Sequence, residues 1–116
     1  MKPPVVYGIK NCDTMKKAFS WLEKRKIPYV FHDYKKNGAD ESVLNRALDQ
    51  HGWENVLNRK GTTWRGLSQK TQDAMDDRLA LKTALENPSI IRRPLIANGK
   101  DIHLGFDEAA FKKIFA

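Results

Sequence analysis

One residue in this chain has the type and the setting for covalent chemistry: Cys12, in the run Lys10-Asn11-Cys12-Asp13-Thr14. It is the sole cysteine, so neither an internal disulfide nor a multi-thiolate zinc site can form, and from position alone it is either a buried structural thiol or a reactive one. Upstream, Pro4 to Ile9 reads as a strand, with Val5, Val6, Tyr7 and Ile9 as its β-favouring residues; downstream, Met15, Ala18, Phe19 and Leu22 recur at the i, i+3, i+4, i+7 spacing of an amphipathic helix. A cysteine at such a strand-to-helix turn meets the open N–H groups and positive end of the helix, which favour thiolate. Lys10 is expected to add to that effect and Asp13 to oppose it. A more acidic thiol is also a weaker nucleophile, with a Brønsted slope of about 0.4–0.5, so acidity speeds departure from a mixed disulfide more than attack. The predicted chemistry is therefore thiol–disulfide exchange.

Met15 stands where a C-x-x-C pair would place its second thiol, so an external thiol has to resolve any mixed disulfide. Glutathione carries two carboxylates and suits a basic site as cosubstrate. Arg59 and the pair Arg92-Arg93 before Pro94 are the candidate guanidinium groups, because guanidinium binds carboxylates and oxyanions bidentately. Lys10 and Asn11, in the same turn as the thiol, complete the candidate anion-binding set. An X-Pro bond opening a strand is also a place where a cis peptide can aim its neighbour at a ligand; the sequence leaves the isomer open.

Other chemistries find no support. His32, His51 and His103 lack metal-ligand spacing, no glycine-rich phosphate loop or Ser/His/Asp signature is present, and Trp21, Trp53 and Trp64 are scattered. The 21 Lys and Arg exceed the 14 Asp and Glu by 7, and residues 1–36 carry nine of the former against three of the latter. That field attracts nucleic acid, an acidic protein surface or a small anion, and gives the sign without the partner. With no apolar run near the roughly 18 residues of a spanning helix, the expected location is the cytosol, and the expected state a monomer.

These residues have to be positioned by the elements around them. A length of 116 residues fits one domain. After the first helix, Pro28 opens a second β-rich run, Tyr29 to Tyr34, closed by a turn at Lys35-Lys36-Asn37-Gly38; strand, helix and strand with short joins imply a parallel pair. Asp40 can cap a helix carrying Val43, Leu44, Ala47 and Leu48 that Gly52 stops. An irregular stretch, Trp53 to Gly66, precedes one or two helices within Leu67–Leu85, and extended structure resumes near Ile90. Pro94–Ala97, a turn at Asn98-Gly99 and Asp101–Leu104 form a hairpin, and Asp107 can cap a last helix with Ala110, Phe111, Ile114 and Phe115 inward. The order β-α-β, helical insert (about 39–88), β-β-α describes a small mixed sheet with helices on its faces.

Four blocks carry a family resemblance: Tyr7-Gly8-Ile9-Lys10-Asn11-Cys12-Asp13-Thr14-Met15-Lys16-Lys17-Ala18, His32-Asp33-Tyr34-Lys35-Lys36-Asn37-Gly38, Gly61-Thr62-Thr63-Trp64-Arg65 and Ile91-Arg92-Arg93-Pro94-Leu95-Ile96. Together they resemble the arsenate reductase-like (ArsC/Spx/YffB) family, most closely its YffB branch. The resemblance implies an α/β (α+β) fold, a thioredoxin/glutaredoxin-like mixed four-stranded sheet with a helical insertion in a single domain, residues 1–116. It implies Cys12 as nucleophile, Arg59 and Arg93 as anion-binding arginines, and a cis Pro94. The family's arsenate reductases imply a third arginine in the hairpin, where Asn98–Phe106 offers only Lys100 and His103 as basic residues. What it implies for function is glutathione-dependent thiol reduction, with arsenate reduction linked to glutathione and glutaredoxin, or RNA polymerase binding without catalysis as in the Spx regulators, as alternatives. No metal is implied.

Overall fold

The computed structural model describes residues 2–115. In chain order the elements are β1 (Val5–Gly8), α1 (Asp13–Lys24), β2 (Val30–Asp33), α2 (Tyr34–Asn37), α3 (Glu41–His51), α4 (Trp53–Val56), α5 (Thr62–Arg65), α6 (Gln69–Asp73), α7 (Asp77–Glu86), a 3₁₀ turn (Pro88–Ile90), β3 (Leu95–Asn98), β4 (Asp101–Leu104) and α8 (Glu108–Ile114). They group into two compact units. The first is the chain up to Lys35 together with everything from Arg93 onward, and the second is Lys36–Arg92.

The first unit is built on a four-stranded mixed sheet of order β2-β1-β3-β4. β1 pairs parallel with β2, Val6 opposite Phe31, as a helical crossover requires, and antiparallel with β3, Val6 opposite Ile96. β3 and β4 form the expected hairpin, but its turn is Gly99-Lys100, because Asn98 stays in the ladder opposite Asp101. Gly99 takes φ +63, a left-handed conformation that costs glycine nothing, so the glycine and not the asparagine sets the turn. On one face of the sheet, Val6 and Ile96 meet Met15, Ala18, Trp21 and Leu22 of α1 and Phe111 of α8 in a single buried cluster. Phe111 is wholly enclosed, with Trp21 edge-on at 5.3 Å and Phe106 at 4.8 Å between ring centroids. Removing such a ring costs about 3–5 kcal/mol. α8 begins, as expected, at Asp107, whose carboxylate accepts the Ala109 N–H.

β2 stops one residue earlier than the β-favouring run suggests. The Asp33 carboxylate accepts the Lys35 N–H at 3.0 Å, turning the chain into α2, so the expected turn at Lys35–Gly38 is a single helical turn beginning at Tyr34. In the second unit the Asp40 cap forms as read, its carboxylate accepting the Val43 N–H at 3.1 Å, and α3 buries Val43, Leu44, Ala47 and Leu48 before Gly52 ends it at φ +79. Asp76 and Ser68 cap α7 and α6 in the same way. Ile90 lies in the 3₁₀ turn instead of a strand, since Pro88 at its start has no N–H to give a ladder. Extended pairing is limited there to one bridge, Leu57 opposite Ile91, flanked by Asn58 N–H to Ile90 and Arg92 N–H to Val56, both at 2.8 Å. Among the described residues no helix is long and apolar enough to cross a membrane.

Candidate active site

The site is assembled where β1 ends. Gly8 is its last residue, and a Cβ built there would lie 2.5 Å from Sδ and Cε of Met15, so the first turn of α1 packs directly on the strand because position 8 has no side chain. Met15 is wholly buried, which anchors that turn. Cys12 is the residue before α1, in extended conformation at φ −143, ψ 129, and its carbonyl accepts the Lys16 N–H at 2.9 Å. Its sulfur is therefore at the N-cap position, where a side chain faces the N–H groups two and three residues on.

Those two N–H groups, of Thr14 and Met15, act on the sulfur electrostatically without closing full capping hydrogen bonds. The Arg93 side chain acts on it as well, through hydrogen bonding and charge. Partial burial pushes the Cys12 thiol up, but the Met15 N–H, the Arg93 guanidinium and the Thr14 N–H together outweigh that and hold it below the ordinary thiol range. Cys12 remains half-buried, so an incoming sulfur can reach it. An acidified, reachable thiol beside a guanidinium is equipped for nucleophilic exchange.

Sheet pairing explains how Arg93 arrives there. The register puts Tyr7 opposite Leu95, so the residues just before β3 lie alongside the end of β1, and the Arg93–Pro94 bond at that corner is cis, as the resemblance implied. Pro94 itself is fully buried. The parallel register places Gly8 opposite Asp33, so Tyr34 follows at the same end. Tyr34 is buried, its ring stacked on Tyr7 at 6.3 Å, and Tyr7 meets His32 in a tilted contact at 4.6 Å. Burial, and then Tyr7, push the Tyr34 hydroxyl far up and keep it protonated, with the charge of Arg93 opposing. Tyr34 thus lies within the influence of the Arg93 guanidinium, with the Tyr7 ring packed beside it. The residue types alone give no hint of it; the parallel register of a β-α-β unit was the available signal.

The other expected residues divide. Lys10 and Asn11 are exposed in the β1–α1 loop, and neither Lys10 nor Asp13 is among the groups that set the acidity of Cys12, because charges held out in water are screened. Arg59 belongs to the second unit, exposed, 3.9 Å from Glu54 and above the Trp53 ring at 5.6 Å. It lines a cleft of about 290 Å³ with Lys60 and Arg92, an arrangement made by the Leu57–Ile91 bridge. Arg65 has a local structural role: its Nη2 donates to the Lys60 carbonyl at 3.0 Å. No group of three His, Cys, Asp or Glu able to hold a metal is found among the described residues.

A four-stranded mixed sheet with a lone, acidified cysteine at the first helix and a cis-proline just before β3 defines a thioredoxin-like protein. Comparison with known proteins gives the family. The ArsC family model matches residues 7–114, and the chain belongs to that family. It is 41% identical over 111 residues to an uncharacterized protein of Haemophilus influenzae, covering 96% of this chain and 97% of that one. A solved YffB protein superposes with a TM-score of 0.94 at 44% identity, covering 97% of this chain and 99% of that one. An arsenate reductase-related protein of Brucella melitensis gives a TM-score of 0.77 at 43% identity over 98% of this chain and 95% of that one. The global transcriptional regulator Spx of Streptococcus pneumoniae is 27% identical over 100 residues, 84% of this chain and 74% of that one. The recognition made from the four sequence blocks and the fold class it implied are both met.

Proposed function

We propose that this protein is a single-cysteine thiol–disulfide reductase with glutathione as cosubstrate. The observation that carries the proposal is the Cys12 sulfur at the head of α1, acidified by the Met15 N–H and Arg93 and half open to solvent. In the first step the Cys12 thiolate attacks the glutathione sulfur of a glutathionylated substrate. A Cys12–glutathione disulfide forms, the substrate's S–S bond breaks, and the substrate leaves as thiolate. In the second step a glutathione thiolate attacks the glutathione sulfur of that disulfide, giving oxidised glutathione and returning Cys12 as thiolate. In sum one glutathione thiol is consumed for each glutathionylated substrate: its proton ends on the released substrate thiol, and the substrate's glutathionyl group leaves within oxidised glutathione. Arg93 serves both steps: its positive charge holds the attacking thiolate in the first and the departing one in the second. Arg59 is assigned to a carboxylate or oxyanion by its match to the family's arginine.

The experiment is intact-mass kinetics. Oxidised glutathione is added across about pH 5 to 9 and its addition to Cys12 followed; reduced glutathione is then added and release followed. Fast addition with an inflection below the ordinary thiol range, then fast release, supports the proposal. Slow addition that rises only near about pH 8.5 refutes it. Running the same protein with arsenate, glutathione and a glutaredoxin separates the alternatives: Cys12-dependent arsenate turnover without disulfide turnover would assign arsenate reduction instead. If neither reaction proceeds, a non-catalytic role such as that of a regulator replaces both.

A further inference from the structure

The basic residues of α1 do more than keep a helix in solution. Lys16, Lys17, Ser20 and Lys24 of α1 and Arg25 at its C-cap line one surface, the lysines and Arg25 exposed and Ser20 half-buried, and the pairs 16/20, 17/20, 17/24 and 20/24 at i+3, i+4 and i+7 put the four helical residues on one side. With Phe106 and Glu108, at the start of α8, they enclose a groove of about 760 Å³ within the first unit, beginning one turn beyond Cys12. Four cations face one carboxylate there, and among the described residues neither Lys16, Lys17 nor Lys24 is held in a salt bridge.

Trp21 forms part of the same wall. It is only 6% exposed, and its indole Nε1–H is buried without an acceptor among the described residues. A buried donor with no partner is costly, so a protein retains one where something else supplies the acceptor. Above the ring lies the Arg25 guanidinium, 4.0 Å from its centroid, on an exposed side chain whose Nη1 also donates to the Trp21 carbonyl at 3.4 Å.

We infer that this groove binds an acidic polypeptide segment carrying an aliphatic or aromatic anchor. Its carboxylates face Lys16, Lys17, Lys24 and Arg25, its anchor lies against Phe106, and one carboxylate accepts from Trp21 Nε1 once Arg25 moves. A small free anion would leave the Phe106 and Trp21 surface unused. A nucleic-acid strand would need an open ring face to stack on, but Arg25 covers one and Phe111 abuts the ring edge-on. Repeated carboxylates with an apolar side chain between them satisfy charge, donor and surface together. The inference stands apart from the chemistry of Cys12.

The test is an NMR titration of the ¹⁵N-labelled protein with a synthetic acetylated peptide alternating glutamate and leucine. Three indole N–H signals are available, one for each tryptophan. The Trp21 signal moves and saturates while those of Trp53 and Trp64 stay. Affinity falls at least about tenfold from roughly 50 to roughly 300 mM salt, and at least about tenfold in the double variant Lys17→Glu/Lys24→Glu. Both lysines are exposed, so the variant's backbone spectrum elsewhere stays that of the parent. An unmoved Trp21 signal at millimolar peptide overturns the inference. So does an equal shift with inorganic phosphate or with the glutamine-for-glutamate peptide, and so does tighter binding of a single-stranded oligonucleotide.

Discussion

Replacing Arg93 by Gln tests how the site acidifies its cysteine. The guanidinium contributes a charge-assisted hydrogen bond to the sulfur and a coulombic attraction, while the Met15 and Thr14 N–H groups contribute independently of it. A hydrogen bond to a charged group is worth about 1.5–3 kcal/mol, and solvent screening at a half-buried sulfur reduces this to about 1.4 kcal/mol, or roughly tenfold in the acid dissociation constant and, at a pH below the inflection, in thiolate fraction. The less acidic thiolate is the better nucleophile. With a Brønsted slope of about 0.45, the tenfold loss of thiolate is offset about threefold, leaving a net loss near threefold in attack. Release from the mixed disulfide slows as well, because Cys12 has become a poorer leaving group. In the intact-mass assay, the inflection for glutathione addition moves up in Arg93→Gln yet stays below the ordinary thiol range, held there by the two N–H groups. Arg93→Lys recovers part of the shift, since it restores the charge without the planar fork. An inflection that does not move, in a variant with unchanged circular dichroism, would show that Arg93 does not act on the sulfur. An inflection equal to that of a free thiol would show that the helix N–H groups do not.

Three further outcomes follow from the same geometry. The folded Cys12 thiol titrates below its unfolded counterpart, so the thiolate adds stability that is full above about pH 8.5 and is lost as pH falls through the folded value. Under reducing conditions, urea unfolding should show the parent gaining on Cys12→Ser as pH rises from about 5 to 9, and the opposite slope would contradict the direction of the shift. Gly8→Ala sets a methyl 2.5 Å from the enclosed Met15 and should cost about 1–3 kcal/mol, read as a lowered thermal midpoint; an unchanged midpoint would mean that Met15 has room to withdraw. Lys26, at φ 54 just past α1, holds a left-handed conformation whose N–H bonds Glu23 while the Ile27 N–H bonds Leu22, so Lys26→Gly should stabilise by about 0.5–1 kcal/mol in the same measurement.

Local signals of the sequence go as far as the elements and one end of the site. The β-α-β opening, the Asp40 and Asp107 caps, the hairpin and the place of Cys12 ahead of α1 are all legible, because periodicity, capping and turn chemistry act over a few neighbouring residues. The same locality explains the small misses. The Asp33 carboxylate, accepting the N–H of Lys35 two residues on, converts Tyr34 from strand to helix, and one register step moves the hairpin turn onto Gly99-Lys100. The blocks that resemble a family name Arg93 and the cis-proline, but no local pattern says that Arg93 touches the sulfur. That contact depends on β3 pairing with β1 at the register Tyr7 opposite Leu95, a choice made between segments most of the chain apart. Tyr34 reaches the site through a second register, Gly8 opposite Asp33. Lys10 shows the converse: next to the thiol in sequence, it is left in solvent and plays no part in its acidity. The lysines of α1 read in sequence as a solvated helix face, and the start of α8 makes them one wall of a groove. Sequence by itself determined which residue carries the chemistry, since a lone cysteine at a helix start needs only its neighbours. The tertiary structure alone decided which charges and rings surround it, because strand register and helix docking minimise the free energy of the whole core and are written in no single segment.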